Sequence, residues 1–276
     1  MGKLQRDLEA EARRIVTQEL AFQAPFRRFW DQLTVLLCGS AVTEYADAYS
    51  GIDLLVLAPR AVAEALQEAL AARPGELVVL PLASRLRVQV TVQAFEEARA
   101  QLERYEDPAM ATYPSAVVLH DPQGRYPELV AGVDGYSREA LQARIAERYR
   151  HLRRRQASLA WNVRRGQPYM LLDNLVRYLE HALSLCFLLE GKPPAGRKWL
   201  LQGALRTETG RRLRPLLLDL FSSLGAVATL GGTRNLRENA LYRRVAAITD
   251  QLEKAIQEAG FRLEWPAGGE AEDTTG

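Results

Sequence analysis

Every strand-like run in this chain of 276 residues falls before residue 121, and beyond residue 135 the apolar residues recur only at helical spacing. A chain patterned this way is expected to fold as an α+β region followed by an all-helical one. In the first part, residues 33–38 and 52–57 are short apolar runs; the first ends at Gly39-Ser40 and Pro59 closes the second. Further strands are expected at 76–80, 86–92 and 116–119, the last running into the turn Asp121-Pro122-Gln123-Gly124. Helices are expected over 8–30, with Pro25 as an interruption, and over 61–72 and 95–105.

The second part shows three helical stripes. One is Leu141, Ile145, Tyr149, Leu152, Leu159 and Val163. Another is Leu172, Leu175, Val176, Leu179, Leu183 and Cys186. The third is Leu241, Val245, Ile248, Leu252 and Ile256. Shorter helical segments at 197–205 and 213–224 sit between them, and helices joined by short loops pack as an antiparallel bundle. The expected domains are 1–134 and 135–265, with a Gly-, Glu- and Thr-rich tail from Pro266 expected to be disordered.

Charge is divided along the chain. The net charge of +2 splits into −6 for residues 1–135 and +8 for 136–276, and 32 of the 36 cationic residues are arginine. Arginine fits phosphate bidentately, and an arginine- and alanine-rich chain also arises from a GC-rich genome. No uncharged apolar run reaches about 18 residues, so no membrane span is expected. The first residues lead into a charged helical pattern rather than a secretory leader. Cys38 and Cys186 each lack a partner at ligand spacing, which argues against a disulfide framework or zinc and for a reducing, cytoplasmic setting.

The segment richest in chemistry is Cys38-Gly39-Ser40, followed ten residues later by Gly51-Ile52-Asp53-Leu54-Leu55-Val56. It resembles the signature of the polymerase-beta-like nucleotidyltransferase superfamily, in which one strand ends in Gly-Ser and the next carries two acids one residue apart. The run Asp121-Pro122-Gln123-Gly124-Arg125 is similar to a turn found after the last strand in bacterial members. The helices around Lys198-Trp199-Leu200 resemble the helical domain of antibiotic-type and other bacterial members. The resemblance implies a mixed-sheet nucleotidyltransferase domain followed by a helical bundle. It also implies that the acids hold Mg²⁺, one ion activating a hydroxyl and another neutralising the triphosphate. Gly39 and Ser40 are then the phosphate-facing turn, with Lys198 as a further nucleotide-binding candidate.

This chain departs from that pattern at the acids. Gly51 stands at the first acid position, and the third falls on Gln89, with Thr91 as the alternative register. Asp53 is the one acid of three, with Glu44 and Asp47 as substitutes from the loop. Mg²⁺ takes six oxygen ligands and is held by one or two carboxylates plus substrate phosphates, so binding is expected to be weak or absent. The expected function is therefore a catalytically degenerate nucleotidyltransferase-like protein, a pseudoenzyme that retains nucleotide or partner binding. The alternative is an active metal-dependent transferase moving a nucleoside monophosphate to a small-molecule hydroxyl. A third reading is an interaction protein acting through its helical half, with a second copy or another protein as partner.

Residues 144–165 carry eight arginines against the single acid Glu147. Such a stretch either faces a nucleoside triphosphate or is the solvated side of a bundle helix. Aromatics are too sparse among them for base stacking, so nucleic acid is not an expected partner. Asp173, Glu180 and His181 are candidate bases from the helical half.

Overall fold

The computed structural model describes residues 2–224 and 236–263. By its internal contacts the chain divides into two units, Met1–Asp134 and Gly135–Gly276. The expected tail from Pro266 lies outside the described residues.

The first unit is built on a mixed five-stranded sheet: β1 (Thr34–Cys38), β2 (Ile52–Ala58), β3 (Val78–Val79), β4 (Val88–Ala94) and β5 (Val117–His120), in the order β3-β4-β2-β1-β5. β1 pairs antiparallel with β2 and β5, β4 pairs parallel with β2, and β3 pairs antiparallel with β4. The parallel pair needs a crossover, which helix α3 (Arg60–Ala69) supplies. Alternation along the strands gives the sheet two faces. One carries Val35, Leu37, Leu54, Val56, Val90 and Val92, packed with Leu8, Ala12, Ile15 and Val16 of α1 (Lys3–Gln18) and with Val62, Ala63 and Leu66 of α3. The opposite face carries Leu36, Cys38, Asp53, Leu55, Gln89 and Gln93.

Several boundaries differ from the expectation. The helix expected over 8–30 is broken early: α1 ends at Gln18, and Pro25 sits in the first turn of a separate short helix, α2 (Ala24–Arg27), where its missing N–H costs nothing. The strand expected at 76–80 shrinks to two residues at the sheet edge, with Val79 half exposed and Pro81 just beyond. The strand expected over 86–92 is shifted to 88–94, where each residue has a partner in β2. The next helix, α4 (Phe95–Glu103), stops before Tyr105, whose φ of 50° is left-handed. The sequence reading missed α5 (Asp107–Thr112), again begun by a proline. Asp121 closes the sheet side of α6 (Arg125–Val130): it accepts from Thr34 Oγ1 at 2.7 Å and from the backbone N–H groups of Arg125 and Tyr126 at 3.2 and 3.0 Å. The Asp-Pro-x-Gly turn is thus a helix cap.

Among the described residues of the second unit all regular structure is helical: α7 (Arg138–Arg165), α8 (Pro168–Leu188), α9 (Leu200–Ala204), α10 (Glu208–Ser222) and α11 (Ala240–Glu258), with a short 3₁₀ turn at Arg197–Trp199. The stripes expected on α7 and α11 are buried as read. On α8 the expected stripe is buried at Leu175, Leu179, Leu183 and Cys186, while Leu172 and Val176 are 43% and 49% exposed and Leu171, Tyr178 and Ala182 are buried in addition. Tyr178 is fully buried. Its hydroxyl donates to Val245 O and meets Thr249 Oγ1, both at 2.9 Å, which fastens α8 to α11. Among the described residues no helix is long and apolar enough to cross a membrane.

Candidate functional site

The sheet places Asp53 beside two elements at once. Across the antiparallel ladder it lies opposite Cys38, and across the parallel ladder opposite Gln89. Thr91 pairs with Leu55 instead, one pleat further along. With its amide oriented to satisfy both neighbours, Gln89 donates to Asp53 Oδ1 at 3.3 Å and accepts from Arg87 Nη2 at 3.3 Å. An amide and a guanidinium therefore follow the Asp53 carboxylate in a short polar chain, and Arg87 is exposed at its outer end. Sequence reasoning missed Arg87; its place two residues before Gln89 on one strand face was the signal available.

Two glycines are required here for different reasons. Gly39 has φ +70°, the left-handed region, and a Cβ added to it would lie 2.3 Å from Asp53 Oδ2. The carboxylate occupies the space that a side chain at 39 would need. Gly51 lacks a left-handed φ. Its Cβ would lie 2.6 Å from the Arg87 carbonyl oxygen, the same oxygen that accepts from Ile52 N at 2.9 Å to begin the β2–β4 ladder. The first acid position is thus closed by the backbone of the neighbouring strand.

The loop between β1 and β2 is tied onto itself. Ser40 Oγ donates to Ser50 Oγ at 3.0 Å, and Ser50 Oγ donates to Asp47 Oδ1 at 3.0 Å. Asp47 N donates to Ser50 Oγ at 2.9 Å, and Asp47 Oδ1 also accepts from Tyr49 N at 3.0 Å. Ser50 is buried, so these bonds satisfy a hydroxyl that water does not reach. Asp47 is engaged as the brace of this loop, and Glu44 is exposed on its outer side. Cys38, buried against Asp53, has its thiol pushed up to about 12 by burial first and by the Asp53 charge second, so it is an inert thiol.

The candidate residues of the helical half belong to the second unit. Lys198 lies on the 3₁₀ turn with its ammonium 4.6 Å from the Trp199 ring centre. Asp173 pairs with Arg177 at 3.1 Å, and Glu180 pairs with Arg197. The arginine-rich stretch is partly internal: Arg153 bonds Glu253 at 2.6 Å, Arg144 bonds Glu147 at 3.0 Å, and Arg155 donates to Asn174 Oδ1 at 3.3 Å.

His181 stacks on His151, ring centres 5.2 Å apart. Burial, then the charge of Arg148, hold it down to about 4. Between pH 6.5 and 4 the unfolded ring binds a proton that the folded ring refuses, so stability falls as pH falls through that window. Because the ring is partly solvated, we expect a loss of about 1–2 kcal/mol rather than the full linkage value. His181→Asn should remove that component, read as the difference in urea midpoint between pH 7 and pH 4.5 in chloride buffer. Equal differences in wild type and variant would contradict it.

No protein-family model matches the chain, and no curated protein matches it. Among solved structures, the chain is similar to the crystal structure of a nucleotidyltransferase-like protein from Exiguobacterium sibiricum 255-15. The two are 14% identical with a TM-score of 0.45, over 93% of this chain and 74% of that one. That degree of likeness assigns neither an activity nor a ligand.

Proposed function

We propose that this chain is a nucleotidyltransferase-type protein that has lost group transfer and retains nucleotide binding at the β1–β2 turn. The observation that carries the reading is the state of the three acid positions. Asp53 holds one; Gly51 leaves another without a side chain, under the Arg87 carbonyl; Gln89 fills the third and hands Asp53 on to Arg87.

This donor set does not fit a pair of Mg²⁺ ions. Each ion needs six oxygens, and the shared carboxylates between two ions are what a two-metal centre is made of. Here one carboxylate faces an amide, and Asp47 is spent on its own loop. Among the described residues no group of three or more His, Cys, Asp or Glu side chains is gathered as a metal centre would require. What remains suited to an anion is the Ser40 hydroxyl at the end of β1, with the exposed Arg87 cation just ahead of β4, the side of Gly39 where a Cβ would sit being filled by the Asp53 carboxylate. A phosphate there would draw the Ser40 hydroxyl away from Ser50.

The test is thermal unfolding of the full chain with ATP, GTP, CTP or UTP, each with and without Mg²⁺ or Mn²⁺. A nucleotide at about 100 times its Kd adds roughly 2.7 kcal/mol to the folded state. We expect at least one nucleotide to raise the midpoint by several degrees, with little dependence on the metal. No shift with any nucleotide would turn the reading to a protein partner, and a shift that strictly requires the metal would favour a working site.

A further inference from the structure

Helix α8 carries more apolar surface than its own unit covers. Leu171, Leu175, Tyr178 and Leu179 are buried, yet Tyr169, Leu172 and Val176 are 80%, 43% and 49% exposed. These three recur at i, i+3 and i+7, which puts them on one stripe spanning about 60° of the helix circumference. Single exposed apolar residues are ordinary, but a stripe at helical spacing is the form that a docking surface takes.

Charged residues border this stripe along one edge: Asp173, Arg177 and Glu180. Asp173 and Arg177 stand one turn apart and pair at 3.1 Å, with both side chains still well exposed. An exposed pair of this kind adds little stability to a single chain. Arg177 also uses only its Nε–H there, shared between the two Asp173 oxygens at 3.1 Å, and its two Nη groups keep their donors.

Such a surface is its own complement. In a two-fold dimer residue i meets j wherever j meets i, and in an antiparallel helix pair like edges meet. An axis at the level of Asn174 and Leu175 sets Leu172 beside Val176 of the second copy, Asp173 beside Arg177, and Tyr169 beside Glu180. Each match holds to within about 1.5 Å along the helix axis. A uniformly acidic or basic partner would repel one member of the Asp173–Arg177 pair, whereas a second copy answers both.

We propose that the Tyr169–Leu172–Val176 stripe of α8 is a self-association surface, on which a second copy of this chain docks antiparallel about a two-fold axis. Both stripes then leave water, and the free Arg177 donors reach Asp173 of the second copy, closing a ring of four alternating charges. Three apolar side chains from each copy make a contact smaller than permanent interfaces bury, so the dimer is reversible. The inference is independent of nucleotide binding, since every residue in it belongs to the second unit.

The test is sedimentation velocity of the full chain from about 5 to 500 µM, the range in which small reversible interfaces dissociate. We expect the sedimentation coefficient to climb from monomer to dimer across it. Leu172→Glu should raise the dissociation constant by roughly tenfold or more, and Val176→Glu serves if Leu172→Glu does not fold. Asp173→Arg and Arg177→Asp should each weaken self-association, because each sets like charges against like. Mixed together, these two variants should associate, since one copy's two arginines then meet the other's two aspartates. A monomer at every concentration would overturn the proposal. So would a dimer that Leu172→Glu and Val176→Glu both leave intact, or charge variants that associate no better mixed than apart.

Discussion

Gly51→Asp is expected to destabilise the protein by about 3 kcal/mol and to gain no metal affinity, whereas Gln89→Asp should gain it. The first substitution restores an acid at a place where the added Cβ would lie 2.6 Å from a backbone oxygen. That oxygen is fixed by its ladder bond to Ile52 N and cannot move aside as a side chain would. Overpacking in ordered structure costs about 1–3 kcal/mol and sometimes more, and a rigid backbone neighbour puts this case at the upper end. At position 89 the side chain already faces Asp53 and Arg87, so a carboxylate there meets no such obstacle. It gives up the hydrogen bond to Asp53 and brings two like charges together, for about 1–2 kcal/mol in the absence of metal. Mn²⁺ should return most of that loss. Urea unfolding of both variants with and without Mn²⁺ decides it: metal-dependent recovery in Gly51→Asp, or none in Gln89→Asp, would contradict the geometry.

Gly39→Ala is expected to lose about 2–3 kcal/mol, from two sources that can be separated. Holding a non-glycine residue in the left-handed region costs about 1–2 kcal/mol. The new methyl group must also push the Asp53 carboxylate away, since the Cβ position lies 2.3 Å from Oδ2, and this breaks the bond from Gln89 for about 1 kcal/mol more. In an Asp53→Ala background the second part disappears and only the backbone part remains. A double-mutant cycle from denaturation midpoints should therefore show about 1 kcal/mol of coupling between the two positions. Equal costs in both backgrounds would mean that Gly39 serves the turn alone.

Much of the sheet was legible because its strands are short apolar runs ended by glycine or proline, and the alternation of β2 and β4 was enough to set Gln89 against Asp53. The reason for Gly51 was not legible. A glycine in a motif suggests special dihedrals, and its actual cause is the approach of another strand 36 residues away in sequence. The loop acids looked like free candidates in the sequence, yet Asp47 is consumed by Ser50 and Tyr49 within its own turn. On α8 periodicity picked out Leu175, Leu179, Leu183 and Cys186, which are buried, and did not show that Tyr178 is buried with its hydroxyl on α11. The His151–His181 stack had no sequence signal, since the two rings sit on different helices. Residue types and local spacing report what one segment can do, and these features each depend on what a second segment brings.

The most direct measurement of the central claim is metal-dependent release of pyrophosphate from nucleoside triphosphates by the purified full chain, with a broad panel of small-molecule hydroxyl acceptors and with Mg²⁺ or Mn²⁺. A site with one carboxylate, an amide and a glycine at its three acid positions should release none above the uncatalysed background, and Asp53→Asn should behave as wild type does. Robust release by wild type that vanishes in Asp53→Asn would contradict the degenerate reading and establish a working nucleotidyltransferase.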